Sequence, residues 1–392
     1  MRAATMRVKS CMICFMGTVA LTLVFLIFGE ERPGLQTFVS DTHKHITYNF
    51  KIIKDKLEAG VPEGPDDKYL SLLGLSPDSP PRSYPDDVWL NTSLPVVVSY
   101  ASQSTLSQAI GLARNVGHFL HNHSLLVYYI DLKADQLQTL ATFCNSSRCQ
   151  PLKFDLSQFP QHVSNEEIHA FRPLIIQDAV RKSGAILYLE NDQRLTTGDI
   201  SNLVNTASSR GVLTWRAPVS VMAMTHPRML KFLSTTSKES VMLTPTVDSE
   251  ESLLFTPMVD SSRLIVYNTP TVSKNILLPW VKCTLKHDCI LPIGAQSVGC
   301  RFDKKPFYRY SGCHGYDTSA LSVLLGFAFK FESDSYSIQQ ESQSTEDVTT
   351  STLVPGLPTA SHSSYFRRID PAEAAMELTS LLDNSTDSSL TL

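Results

Sequence analysis

The segment Ala185-Ile186-Leu187-Tyr188-Leu189-Glu190-Asn191-Asp192-Gln193-Arg194 places two carboxylates, one residue apart, directly after an apolar run. Such a run reads as a buried strand, and in an open α/β sheet ligands sit beyond the carboxyl ends of the strands. Glu190 and Asp192 are therefore candidate ligands for Mn²⁺ or Mg²⁺, hard cations that take oxygen donors. An ion held there would neutralise a diphosphate and stabilise it as a leaving group. A bare acid-x-acid triplet is most often a solvated loop, and only its strand-end context raises it. The same rule places Ser99 and Asp131, at and just past the ends of two earlier strand candidates, where a bound cofactor would lie.

Arg172 is a candidate cation for the diphosphate, its alternative being a place on a helix surface. Asp317 opens the last apolar helix; its residue type favours a cap, and its alternative is the base that takes a proton from an acceptor hydroxyl. His226 precedes Pro227 at a helix start and reads as structural. Ala295-Gln296-Ser297-Val298-Gly299 lacks the first glycine of a nucleophile elbow. There is no Gly-x-Gly-x-x-Gly and no phosphate-binding P-loop.

The elements that must position these residues follow from periodicity. Pro95–Tyr100, Leu125–Ile130, Leu152–Leu156 and Ala185–Leu189 read as strands. Ser104–His121, Ala134–Phe143 and Glu166–Lys182 read as helices between them, the last with a kink at Pro173. Apolar strands alternating with amphipathic helices predict an α/β, Rossmann-like, mostly parallel sheet with helices on both faces. Further on, Ile200–Ser209, Pro227–Ser234 and part of Thr271–Leu285 read as helix, Val212–Trp215 and Arg263–Tyr267 as strand, and Tyr316–Phe329 as a final apolar helix.

Cys11 to Gly29 carries no charged residue; Arg2, Arg7 and Lys9 precede it, and Glu30 and Glu31 follow. Its length suits a membrane-spanning helix better than the shorter apolar core of a cleaved signal peptide. The basic flank predicts a type II signal anchor, with the N-terminus in the cytosol and the remainder in the secretory lumen or outside the cell. Six cysteines lie beyond it. Cys144 and Cys149 are close enough to pair, while Cys283, Cys289, Cys300 and Cys313 allow three connectivities. A zinc site is the lesser alternative, because no Cys-x2-Cys pair occurs among the six. Asn91, Asn122, Asn145 and Asn384 are glycosylation sequons beyond the anchor. The chain holds 38 acids against 34 bases, which argues against a nucleic-acid binder.

Several blocks resemble a family of uncharacterised animal proteins, abundant in nematodes and other invertebrates, that look like nucleotide-diphospho-sugar transferases of the GT-A type. They are Phe171-Arg-Pro-Leu-Ile-Ile176 with the strand ending at Glu190 to Arg194, Met224-Thr-His-Pro-Arg-Met229, Leu278-Pro-Trp-Val-Lys-Cys283 with Asp288-Cys289-Ile-Leu-Pro292, and Cys313-His-Gly-Tyr-Asp-Thr-Ser-Ala-Leu321. The GT-A pattern usually has Asp where this chain has Glu190, so the carboxylate is kept but lengthened. The resemblance implies a third metal contact from His314, whose alternative is a core histidine beside a disulfide. It further implies a nucleotide-sugar donor, a glycan or glycoprotein acceptor, and a Golgi or other secretory-pathway membrane, the cell surface being open as well. A catalytically silent binding protein on the same fold is the rival, because fold does not fix activity.

The expected organisation is a cytosolic tail (1–10), the anchor through the bilayer (11–29), a stem (30–91), a GT-A-like luminal domain (92–331) and a Ser/Thr-rich disordered tail (332–392), in which Pro371 to Leu382 leaves room for a short helix. A short amphipathic run in the stem, Ile46, Phe50, Ile53 and Leu57, is too brief for a coiled coil, and the oligomeric state is open.

Overall fold

A computed structural model describes residues 67–76, 93–236, 252–302, 309–339 and 365–387. The expected anchor, Asn91 and the amphipathic run expected in the stem lie outside these residues. Among the described residues no helix is long and apolar enough to cross a membrane.

A short helix, α1 (Asp67–Leu72), comes first. Then β1 (Ser93–Ala101), α2 (Leu106–Phe119), β2 (His123–Tyr129), α3 (Ala134–Phe143), β3 (Cys149–Lys153), α4 (Arg172–Ser183) and β4 (Ala185–Leu189) follow in strict alternation. The strands lie in the order β3-β2-β1-β4, each pair parallel. All five residues of β4 are buried, as a strand covered on both faces must be. Leu126, Tyr128, Ile175, Ile176 and Tyr188 belong to the core on one face, and Ile110, Leu112, Val127, Leu187 and Leu189 to the core on the other.

Two glycines make the helix-to-strand turns. Gly184 (φ +78°) closes α4 just before β4. Gly211 (φ +86°) closes α5 (Ser201–Arg210) before β6. Both sit in the left-handed region that glycine enters without a Cβ penalty.

Beyond β4 the short β5 (Gln193–Leu195), then β6 (Val212–Ser220), helix α6 (Pro227–Thr236) and β7 (Pro257–Tyr267) complete the mixed half. The long β7 runs antiparallel to both β4 and β6. Next come α7 (Leu278–Leu285) and α8 (Asp317–Ala328), and then β8 (Ser337–Ile338), which joins β6 in parallel. The main sheet has seven strands in the order β3-β2-β1-β4-β7-β6-β8, mostly parallel and α/β as expected.

Three readings of the sequence are corrected. Pro173 is in the first turn of α4, where its missing N–H is harmless, so the helix starts there and no kink is needed. Residues 67–76, assigned to the stem, pack on the domain: Leu70 and Leu73 are buried in its core, and the Leu73 carbonyl accepts from Gln177 Nε2. Residues 366–387, assigned to the tail in which the sequence leaves open only a short helix at Pro371 to Leu382, form β9 (Phe366–Arg368), antiparallel to β5, and the helix α9 (Pro371–Asp387). Phe366, Ile369 and Ala374 are buried, so a few apolar residues within a polar stretch suffice to dock it.

The disulfides are Cys144–Cys149, Cys283–Cys289 and Cys300–Cys313. All six cysteines from Cys144 to Cys313 are thus paired. Asn122 and Asn145 are exposed.

Candidate functional site

The strand end of β4 opens into a cleft of about 460 Å³. Glu190, Asp192, Arg172, His314 and Asp317 all line it, so five of the residues singled out from sequence converge on one place. Ser99 and Asp131 are not among its lining residues. Ser99 is buried within β1, and Asp131 sits on an exposed turn whose carbonyl accepts from Gln103.

Arg172 stands at the centre. It opens α4, is 4% exposed, and joins two buried acids. Its Nε and Nη2 donate to Glu190 Oε2 at 3.1 and 3.0 Å, and its Nη1 donates to Asp317 Oδ2 at 2.6 Å and to Ser261 Oγ at 2.5 Å. Tyr188 Oη also donates to Glu190 Oε2, at 3.0 Å. Tyr188 and Glu190 lie two residues apart and so share a face of the strand. The guanidinium is thereby committed to protein carboxylates. Neither the diphosphate contact nor the surface position expected for Arg172 describes this arrangement.

The charges follow from these contacts. Burial pushes Glu190 upward, but Arg172, His169 and the hydroxyls of Tyr100 and Tyr188 outweigh it and hold the carboxyl below its ordinary range. Asp317 goes the other way: burial raises it to about 6, with Glu190 adding to the rise and Arg172 opposing it. One cation between two buried acids cannot hold both equally ionised. Asp317 is the first residue of α8 rather than its cap. The preceding residue, Tyr316, has φ 49° and ψ −117° and lines the cleft. A non-glycine residue held in that sparsely populated conformation is a feature that clusters at functional sites.

His314 is fully buried. Its Nδ1 accepts from the His226 N–H at 3.2 Å, which leaves Nε2–H to donate to the Ile290 carbonyl at 3.3 Å. Burial, aided by His226, lowers its pKa to about 4. Both ring nitrogens are engaged, which corrects the reading of His314 as a metal ligand: it is the core histidine, next to Cys313 of a disulfide.

Asp192 is held by a residue that sequence reasoning did not nominate. Arg368 Nε, from β9, lies 3.0 Å from Asp192 Oδ2, and Gln193 Nε2 donates to Oδ1 at 2.8 Å. Burial raises the Asp192 carboxyl, with Arg368 opposing.

A divalent ion would need several oxygen donors at once. Glu190 Oε2 and both oxygens of Asp192 already have protein partners, and no group of three or more His, Cys, Asp or Glu side chains gathers among the described residues. The donor set does not fit Mn²⁺ or Mg²⁺ in this arrangement.

What the cleft does offer is unpaired polar atoms. Glu190 Oε1, Ser262 Oγ and His169 Nδ1 are buried with no hydrogen-bond partner among the described residues, and all three residues line the cleft. Buried polar atoms are ordinarily paired. A ligand carrying both hydroxyl donors and acceptors would complete them. Sequence reasoning missed Ser261 and Ser262 because the strand signal begins only at Arg263. It missed Tyr188 because a tyrosine in an apolar strand looks like core.

A family model described as a protein of unknown function (DUF1647) matches residues 84–177, from before β1 to the middle of α4. No curated protein matches the sequence. Solved structures similar to this chain include the bifunctional glycosyltransferase WbbM (12% identity, TM-score 0.35, covering 58% of this chain and 37% of that one). They also include the galactosyltransferase LgtC in complex with donor and acceptor sugar analogues (11%, 0.27, 44% and 58%). A third is core-mannan synthase A from Aspergillus fumigatus in its Mn/GDP form (11%, 0.38, 69% and 77%). This chain spans less than two thirds of the first two. The structures it resembles are glycosyltransferases at low identity.

Proposed function

We propose that this chain is a glycosyltransferase-like protein of the secretory pathway whose cleft takes a nucleotide-sugar donor and serves a glycan or glycoprotein acceptor. The observation that supports it is the set of unpaired buried atoms, Glu190 Oε1, Ser262 Oγ and His169 Nδ1, on three residues that line one cleft at the carboxyl end of a parallel strand. Hydroxyls of a ribose or a hexose donate to the carboxylate and accept from the serine. Tyr316, half-buried in the cleft lining, supplies ring surface for such a ligand.

Asp317 is the group suited to proton transfer, since burial has raised it to about 6 and its pairing to Arg172 fixes its position. Glu190 stays ionised and accepts hydroxyl groups. No step is routed through Mn²⁺ or Mg²⁺, because the carboxylates are already engaged. The rival, a silent binding protein on the same fold, shares the binding step and lacks the transfer.

Calorimetry of the purified full chain, in detergent, with UDP, GDP and their sugar conjugates tests the reading. Binding of at least one sugar nucleotide, weakened about ten- to a hundredfold by Glu190→Gln, is expected for loss of a charged contact. Hydrolysis of the bound donor would favour the transferase over the silent protein. No binding of any nucleotide would defeat both.

A further inference from the structure

A second and larger cleft, about 1030 Å³, adjoins the first. Asp260 and Arg368 line both. Its wall is built from β6, β7 and the docked C-terminal segment, with Trp215, Arg216, Arg263, Tyr365, Phe366 and Arg367 among its lining residues. Four arginines face it, Arg216, Arg263, Arg367 and Arg368, against the single carboxylate of Asp260.

The centre of this wall is closely packed. The Arg263 guanidinium lies 5.3 Å from the Trp215 ring centroid and 5.9 Å from that of Phe366, and its Nη2 donates to Asp260 Oδ2 at 2.8 Å. Trp215 and Phe366 are buried and meet edge to face. Arg263 is 6% exposed, yet its Nε has no hydrogen-bond partner among the described residues. A buried guanidinium N–H left open in a cleft wall is a donor in wait of an acceptor, since such groups are ordinarily satisfied. On the rim, Phe255 is 78% exposed and Tyr365 half-buried.

The outer arginines are paired, but loosely. Arg216 bonds Asp334, whose side chain is 94% exposed. Arg367, itself 42% exposed, bonds Glu373. Exposed pairs of this kind contribute little and exchange readily. A carboxylate or sulfate can therefore replace the exposed acids Asp334 and Glu373 on Arg216 and Arg367, while the exposed Phe255 and half-buried Tyr365 rings take the apolar face of a pyranose.

We infer that this second cleft is a binding site for an anionic glycan, a chain of sugars bearing carboxylate or sulfate groups, positioned so that its end reaches the first cleft. The inference rests on the proposed transferase-like reading, of which it names the acceptor class. The volume exceeds what one sugar ring fills, since drug-sized pockets run from about 300 to 1,000 Å³. The net charge of the whole chain is −4, so attraction of a polyanion must come from this local wall.

The test uses the full chain with four probes: a heparin hexasaccharide, a hyaluronan hexasaccharide, a neutral chitin hexasaccharide and a DNA oligonucleotide of matched charge. Binding of one or both anionic sugars in preference to the other two is expected, the heparin and hyaluronan arms separating sulfate from carboxylate recognition. Arg216→Gln and Arg367→Gln should each weaken that binding about tenfold and leave nucleotide affinity unchanged. Equal binding of the neutral sugar, equal binding of DNA, or indifference to both substitutions would overturn the inference. If a nucleotide binds but no anionic sugar does, this inference fails alone. If anionic sugars bind and no nucleotide does, the donor reading fails and the glycan site stands.

Discussion

Arg368 Nε lies 3.0 Å from Asp192 Oδ2, and the next backbone N–H, that of Ile369, donates to the Asp192 carbonyl at 2.9 Å. The C-terminal segment therefore holds both ends of the residue that sequence logic nominates as a cation ligand. The Arg368 side chain is 60% exposed, so the pair adds little to stability, about 0–1 kcal/mol. Its effect is on availability: it occupies the carboxylate.

Arg368→Gln should accordingly release Asp192 toward the cleft, where Glu190 Oε1 is already open. Nucleoside-diphosphate affinity, expected to be insensitive to Mn²⁺ in the unaltered chain, should then rise about tenfold when Mn²⁺ is present, the effect of one further charged interaction. Calorimetry with and without Mn²⁺ measures this. A Mn²⁺ response of the same size in both proteins would mean that Arg368 does not control the carboxylate.

Arg172→Met leaves Glu190 and Asp317 buried without their shared cation. Removing one partner of a buried pair is worth roughly 3–5 kcal/mol, and here two acids lose it together. Urea unfolding should show a loss at the upper end of that range. Adding Glu190→Gln and Asp317→Asn to Arg172→Met should restore much of it, because neutral amides carry no uncompensated charge. If the triple variant is no more stable than the single one, the loss comes from packing around α4 and not from charge.

The pH dependence of stability has two opposing parts. Asp317 has its folded pKa raised from 3.8 to about 6. The folded chain then binds the proton more tightly than the unfolded one, so this group's contribution falls as pH rises from about 4 through 6. His169 and His314 are lowered from 6.5 to about 4 by burial. They stay neutral while the unfolded chain protonates, so their contribution falls as pH drops from 6.5 toward 4. Asp317→Asn removes the first part only. Relative to the unaltered chain, its stability should worsen steadily as pH falls from above 6 to 4. Denaturation midpoints at pH 7, 5.5 and 4 check this, and a constant difference would show that Asp317 does not titrate in that window.

The disulfides close short loops. Lost chain entropy in the unfolded state is worth about 2 kcal/mol for Cys283–Cys289 and about 3 kcal/mol for Cys300–Cys313, with sequence separations of 6 and 13. Thiol labelling of the native chain should miss all six paired cysteines. Paired Cys→Ser variants should rank in that order by urea midpoint. Stoichiometric labelling of any of the six contradicts the pairing.

The parallel half of the sheet was legible because its strands are apolar throughout and its helices periodic. Ala134–Phe143 and Ala185–Leu189 agree with the structure to the residue. The antiparallel course of β7 was not legible. Its first half, Pro257 to Ser262, mixes Asp and Ser into the run because those residues serve the cleft rather than the core. The convergence of Arg172, Glu190 and Asp317 lies in three distant segments, and each residue alone reads as surface charge or cap. Arg368 was hidden for a different reason: docking of β9 depends on Phe366 and Ile369, two apolar residues that composition averages away among the Ser and Thr around them.

The same docking explains a last residue, Arg194. It is 2% exposed, a position a cation occupies only when fully paired. Its Nη1 donates to the carbonyls of Asn191 and Gln193, its Nη2 to the carbonyl of Gln108 and to Glu377 Oε2, and its Nε to the same Glu377 oxygen. It thus ties the turn carrying Asp192 to α2 and to α9. Glu377→Gln keeps an acceptor in place and costs about 1 kcal/mol, the difference between charged and neutral hydrogen bonds. Arg194→Met strips the buried carbonyls of Asn191 and Gln193 of their donor, each worth about 1–3 kcal/mol when left unpaired, while Gln108 keeps its helical bond. It should unfold at clearly lower urea than Glu377→Gln. In the fraction that remains folded, nucleotide affinity should fall, because the Asn191–Gln193 turn, whose Gln193 N–H donates to the Glu190 carbonyl at 3.0 Å, no longer fixes Glu190 against the cleft. A folded Arg194→Met protein with unchanged nucleotide affinity would show that this turn does not set the geometry of the site.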